Sequence, residues 1–173
     1  MKRFIVDMDD VLADATGQFI RYYEREFGVK VNRTMLNGKE EGEGFPDNHH
    51  ILRQYPYRRD FFRTMTVNEY SPDVLRELNK KYEVFIVSAA IEFPQSLSEK
   101  LDWLAEHFPF LTWKQIVFCG SKTVVHGDYM IDDLPHNLEK FKGEKFIFTA
   151  PHNTHYNHFQ RFNNWKEVGD RFL

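Results

Sequence analysis

The sequence predicts an α/β protein built on a doubly wound parallel sheet, and three observations predict it. Continuous apolar runs of strand length, Phe4 to Val6 and Val84 to Val87, suit strands covered on both faces. Stretches of helical spacing separate most of the strand candidates. Acidic and small polar residues stand where the apolar runs end, which is where ligands gather in such a sheet.

Taken in order, Arg3 to Met8 reads as the first strand. From about Thr16 to Phe27, the residues Phe19, Ile20, Tyr23 and Phe27 recur at helical spacing. A polar, Gly-rich stretch from Asn37 to Gly44 follows, in which Glu40, Glu41 and Glu43 read as a solvated loop. Then come the aromatics Tyr55, Tyr57, Phe61 and Phe62. Roughly seventy residues separate the first strand from the second, far more than one crossover helix needs. Residues 16–70 are therefore expected to form a small helical cap, inserted after the first strand of a core made of 1–15 and 71–173.

Ser71-Pro72-Asp73 opens a helix running to about Lys81, with Val74, Leu75 and Leu78 on one stripe. Glu83 to Ser88 is the second strand. Pro94 to His107 repeats the helical logic, with Leu97, Leu101, Leu104 and Phe108 as its apolar stripe. Ile116 to Cys119, Tyr129 to Ile131 and Lys145 to Thr149 read as short strands bounded by Gly, Asp or Pro. Trp165 and Val168 suggest a closing amphipathic helix packed on the sheet.

Composition excludes several classes. With 173 residues, 42% hydrophobic and 28% charged, the chain can bury a sizeable core and reads as neither disordered nor membrane-spanning. A net charge of -3 offers no sequence-wide attraction for a nucleic acid polymer or a membrane surface. Cys119 stands alone, so no intrachain disulfide forms. The first apolar run is too short for a signal segment and is broken by Asp7, so a cytoplasmic protein is expected. A homodimer is compatible with this composition.

The chemistry concentrates in DMDDVLAD, residues 7 to 14. Acids crowded after a buried strand repel one another and lose solvation, so a fold keeps them there with a compensating cation or substrate. If Asp7 attacks a phosphorus atom, each pair of like unit charges about 4 Å apart repels by about 4 kcal/mol at an effective dielectric of 20. A hard cation such as Mg²⁺ cancels this, and it takes oxygen ligands from carboxylates on separate strand ends. Asp7 is the leading ligand, and the pair Asp132 and Asp133 after Tyr129-Met130-Ile131 is the second source.

Asp9, two residues on, faces the same cavity when the chain leaves the strand in a tight turn. It would protonate the leaving oxygen and then deprotonate the water that hydrolyses the acyl phosphate on Asp7. Ser88 ends the second strand before Ala89 and Ala90, small residues that let backbone amides approach phosphate oxygens. Lys122 would cancel charge on Asp7 and on the phosphoryl group.

Acid pair, Ser, Lys and acid pair in this order resemble the haloacid dehalogenase-like (HAD) phosphohydrolase superfamily. DMDDVLAD, SAA (88 to 90), SKTVVHGDYMIDD (121 to 133) and FTAPHNTH (148 to 155) together resemble the 5'(3')-deoxyribonucleotidase family, from Asp7 to His155. The resemblance implies a HAD-like core and a Mg²⁺-dependent phosphomonoesterase whose partner is a small molecule, a deoxyribonucleoside 5'- or 3'-monophosphate. It implies Asp7 as nucleophile and Asp9 as acid and base. It further implies Mg²⁺ held by the Asp7 side chain, the Asp9 backbone carbonyl and an acid of the 132/133 pair, with Ser88, Ala89 and Lys122 holding phosphate.

Two positions depart from the pattern. Many superfamily members have Gly where Asp10 stands, and the animal enzymes commonly have an aromatic residue where Ala15 stands. Base stacking must then come from elsewhere in the cap, with Phe19, Tyr57, Phe61 and Phe62 as candidates. His49 and His50 read as surface residues. His152, His155 and His158 recur without a helical pattern that would align them on a zinc ion; His152 lies in one of the blocks that carry the resemblance, which implies a structural role beside the site. Two alternatives remain: a phosphatase of another small metabolite such as a sugar phosphate, and a receiver-type phosphoacceptor domain. A receiver carries its acceptor Asp after a middle strand, whereas the middle strand here ends in Ser88, and it has no inserted cap.

Overall fold

Successive side chains of the first apolar run enter opposite cores: Phe4 and Val6 join one, Ile5 the other. A computed structural model of the protein describes residues 1–40, 42–47 and 49–173. The run is strand β1 (Arg3–Val6), followed by β2 (Glu83–Ser88), β3 (Ile116–Phe118), β4 (Tyr129–Asp132), β5 (Glu144–Phe148) and β6 (Gln160–Phe162). All pair in parallel, in the spatial order β3-β2-β1-β4-β5-β6. The doubly wound sheet read from the sequence is the observed one. Strand β6 had no signal, because Gln160-Arg161-Phe162 is short and polar.

Register fixes what meets at the carboxyl edge. Val6 lies opposite Ile86 on one side and Ile131 on the other, so the residues after β1, β2 and β4 emerge side by side. The Asp7 amide donates 3.0 Å to the Ile131 carbonyl and extends that ladder by one residue. Because β1 is interior, position within the sheet does not separate this protein from a receiver domain. The long segment between β1 and β2 does.

Among the described residues, five α-helices accompany the strands: α1 (Ala15–Phe27), α2 (Ser71–Lys81), α3 (Ser96–His107), α4 (Pro135–Lys140) and α5 (Trp165–Phe172). Helices α2 and α5 pack together on the larger core, where Phe172 sits edge-on to Phe4 at 4.8 Å. Helix α4 covers the opposite face through Leu138, which clusters with Ile5, Met130 and Ile147. None of the helices among the described residues is long and apolar enough to cross a membrane.

Helix α3 corrects the sequence reading. Its buried residues are Ser96, Lys100, Trp103 and Leu104, while Leu101 is 43% exposed and Leu97 only partly covered. Leu104 and Phe108 of the expected stripe are in the core, but Leu97 and Leu101 are turned from it and Trp103 is buried instead, its Nε1 donating 2.8 Å to the Met65 carbonyl. That rotation carries Lys100 inward.

The segment between β1 and β2 leaves past Ala13 and returns at Val67, the two limbs joined by an antiparallel bridge. The Asp14 amide donates to the Thr66 carbonyl at 2.8 Å, and the Asn68 amide to that of Leu12 at 2.7 Å. Asp14 also caps α1, accepting from the Gly17 amide at 2.9 Å, and Gly28 ends the helix at φ 68, a left-handed conformation that Gly adopts freely. Beyond it lie two 3₁₀ segments, Arg33–Leu36 and His49–Tyr57. Glu40, Glu43, His49 and His50 are exposed, as expected of surface residues; Glu41 lies outside the described residues. The segment touches the core again where the Gly38 amide donates 2.8 Å to the Pro151 carbonyl.

Candidate active site

Three buried carboxylates converge at the carboxyl edge of the sheet. Ligand oxygens of Asp7, Asp132 and Asp133 lie within 4.8 Å of one another. Lys122 enters from the 3₁₀ turn Lys122–Val124, its Nζ 2.5 Å from Asp7 Oδ1 and 2.6 Å from Asp132 Oδ2. Asp132 is fixed further by the Leu134 amide at 2.9 Å and by Asn137 Nδ2 at 3.0 Å, both donating to Oδ1.

One ammonium does not neutralise three acids. Burial pushes the Asp7 carboxyl well above the ordinary carboxylate range; Lys122 pulls it down, while Asp132, Asp133 and Asp9 push it further up. Asp133 is raised well above that range too, first by burial and then by Asp132 and Asp10. The Lys122 ammonium is held above its ordinary value, because Asp132 and Asp7 outweigh the burial that would lower it. Such a set of hard oxygen donors with excess negative charge fits a divalent cation of the Mg²⁺ kind.

A second cation serves Asp9. Lys100 Nζ lies 2.5 Å from Asp9 Oδ2 and donates 3.0 Å to Ser88 Oγ, while Asp9 Oδ1 is enclosed and without a partner among the described residues. Sequence reading missed Lys100. Its signal was its phase, since residues 96, 100, 103 and 107 share a helix face, and a lysine beside Trp103 on that face needs an anion. Ser88 is buried at the end of β2, with its carbonyl accepting 3.0 Å from the Cys119 amide, and Ala89 follows it into a short 3₁₀ turn.

Asp10 occupies the position where Gly is common, and its φ of 53 supplies the reason: the chain turns left-handed there. Asp tolerates that conformation better than most residues. Its oxygens accept from Thr16, from the amide at 2.8 Å and the hydroxyl at 2.7 Å, which ties the turn to the start of α1. Burial raises the Asp10 carboxyl, and the two Thr16 bonds oppose that shift. His152 Nε2 lies 2.9 Å from Asp133 Oδ2. His155 and His158 are exposed and take no part in any metal-ligating group among the described residues.

The four aromatics divide. Phe61 is fully buried, edge-on to Phe19 at 4.9 Å and to Tyr22 at 5.1 Å, and offers no face to a ligand in this arrangement. Phe19 packs beside it, partly covered. Phe62 borders the site, with Lys100 Nζ 4.5 Å from its ring centre. Tyr57 is 61% exposed and meets Phe93, which in turn tilts against Phe62.

A family model described as 5' nucleotidase, deoxy (pyrimidine), cytosolic type C protein matches residues 2–173. The chain belongs to that family. Within the deoxyribonucleotidase family, the 5'(3')-deoxyribonucleotidase of Bacillus subtilis (strain 168) is 41% identical over 177 residues, covering 100% of both chains. A 5'(3')-deoxyribonucleotidase of Bacillus phage SPbeta matches to the same extent, 41% over 177 residues and 100% of both chains. Among solved structures, a haloacid dehalogenase-like family hydrolase from Streptococcus pneumoniae superposes with a TM-score of 0.58 at 14% identity, covering 100% of this chain and 99% of that one. A HAD-superfamily hydrolase of subfamily IA from Geobacter sulfurreducens gives 0.56 at 13%, covering 99% of each chain. Likeness at such identities establishes the fold, a HAD-like α/β core. As a member of the deoxyribonucleotidase family the protein is a phosphatase.

Proposed function

We propose that the protein hydrolyses deoxyribonucleoside 5'- and 3'-monophosphates to deoxynucleoside and phosphate, through a phosphoaspartate on Asp7, with Mg²⁺ as cofactor and in the cytoplasm. The convergence of Asp7, Asp132 and Asp133 around Lys122 carries this reading. Asp7 and an acid of the 132/133 pair, with the Asp9 carbonyl in support, would hold Mg²⁺, which would supply the positive charge that lets a carboxylate approach a phosphate dianion.

The chain's own groups do the rest. An Asp7 carboxylate oxygen attacks phosphorus while Lys122 and Lys100 balance charge on the phosphoryl oxygens and Ser88 donates to them. Asp9 gives its proton to the leaving ester oxygen, and the deoxynucleoside departs. Asp9 then takes a proton from water, which attacks the phosphorus of the acyl phosphate, restoring Asp7 and releasing phosphate. Residues 16–70 act as a cap over this chemistry. Exposed Tyr57 is the aromatic that offers a face to a base, while Phe62, buried beside Lys100, and Phe19 and Phe61 back it from within.

A substrate panel on purified protein tests the reading. Phosphate release in Mg²⁺ from dUMP, dTMP and 3'-deoxynucleotides is expected to exceed release from ribonucleotides and sugar phosphates. A sugar phosphate as best substrate would overturn the assigned specificity while leaving a phosphatase.

A further inference from the structure

Asp133 is met at both its backbone carbonyl and its carboxylate by consecutive residues of one 3₁₀ turn, Pro151–Asn153. Asn153 Nδ2 donates 2.8 Å to the Asp133 backbone carbonyl, and His152 Nε2 lies 2.9 Å from Asp133 Oδ2. The turn is itself anchored. Asn153 is fully buried, and its Nδ2 also donates 2.8 Å to the Phe148 carbonyl. Its Oδ1 accepts from Arg161 at 2.8 Å and from the Ala150 amide at 3.2 Å. The imidazole therefore projects from a fixed base at the end of β5.

Around the Asp133 carboxylate the other groups are mostly acids. Asp7 and Asp132 stand on one side and Asp10 on another, with ligand atoms within 4.8 Å in each group. A carboxylate so placed turns away from its neighbours unless something holds it. His152 Nε2 is enclosed and makes no hydrogen bond among the described residues; its one polar approach there is the 2.9 Å ion-pair contact with Asp133 Oδ2.

We propose that His152 is a positioning residue that holds the Asp133 carboxylate in the orientation in which it ligates the divalent cation. The inference rests on the cation reading above. A direct role for His152 as a ligand, together with Asp10 and Asp133, is less favoured because both Asp10 oxygens are already engaged by Thr16. An outer partner that fixes a ligand's orientation in advance contributes roughly 10- to 100-fold to metal affinity.

Mn²⁺ titration of the full chain tests this, with free ion read by electron paramagnetic resonance. His152→Ala is expected to raise the Kd for Mn²⁺ about 10- to 100-fold. His152→Gln, whose amide reaches the same oxygen, should recover part of the loss, and His152→Asn, too short, should not. The half-activating Mg²⁺ concentration should move in parallel. The metal-free melting temperature of His152→Gln should match wild type, which keeps the test valid if His152→Ala does not fold. Equal Kd values for wild type and His152→Asn would overturn the proposal. So would ¹⁴N coupling in the pulsed spectrum of bound Mn²⁺, which would make His152 a ligand. Absence of Mn²⁺ binding by the wild-type protein would instead remove the cation reading, and this inference with it.

Discussion

Lys100 Nζ meets Asp9 Oδ2 at 2.5 Å across 91 residues of sequence. The same ammonium donates to Ser88 Oγ, so one buried cation joins the proposed acid and base to the proposed phosphate cradle. Removing it leaves Asp9 unheld and one fewer positive charge where charge develops. Lys100→Met is expected to lower kcat/KM for dUMP by about 10²- to 10³-fold, the scale of losing one preorganised donor. Steady-state kinetics with wild-type kcat/KM would contradict this role.

Asp133→Asn should act in opposite directions with and without metal. Deleting one of three crowded acids relieves repulsion, so the metal-free variant should melt higher than wild type. It should also lose the response to Mg²⁺, which for a site binding only the native state is about 2.7 kcal/mol at a hundredfold excess over Kd. Thermal melts with and without Mg²⁺ read both. An Asp133→Asn protein still stabilised by Mg²⁺ to the wild-type extent would contradict the assignment.

The raised Asp7 and Asp133 carboxyls make metal-free stability depend on pH. Their folded values lie above those of the unfolded chain, so between the two the native state binds more protons than the unfolded state. Stability then falls as pH rises through that window. Denaturant melts of metal-free protein should show this decline as pH rises above the ordinary carboxylate range, and saturating Mg²⁺, which binds the ionised acids, should weaken or reverse it. A rise in metal-free stability there would count against the arrangement.

Much of the site was legible because its chemistry is compressed into short motifs. Asp7, Ser88, Lys122 and Asp132 follow recognisable strand ends, and parallel register alone brings strand ends together. Lys100 and the Asp133 contact of His152 were not legible, since each is explained only by a partner distant in sequence. Helix α3 illustrates the limit: Leu97, Leu101 and Leu104 make one helical face and Lys100, Trp103 and Leu104 another, and the pattern does not rank them. Phe61 and Phe62 are adjacent and both buried in one core, yet only Phe62 has the Lys100 ammonium over its ring.

That reassigned face has its own measurement. Trp103→Ala should cost about 3–5 kcal/mol of stability, as for a buried aromatic, whereas Leu101→Ala should stay within about 0.5 kcal/mol, as for an exposed position. Urea denaturation of the two variants reads the difference. Comparable losses would place Leu101 in the core after all.

The role of Asp7 as nucleophile is tested most directly by trapping the acyl phosphate. Enzyme mixed with dUMP and Mg²⁺ is quenched in acid, reduced with borohydride and mapped by peptide mass spectrometry. Reduction of an aspartyl phosphate leaves homoserine. The account predicts homoserine at position 7, dependent on substrate and absent from Asp7→Asn. Homoserine at position 132 or 133, or turnover by Asp7→Asn comparable to wild type, would contradict it.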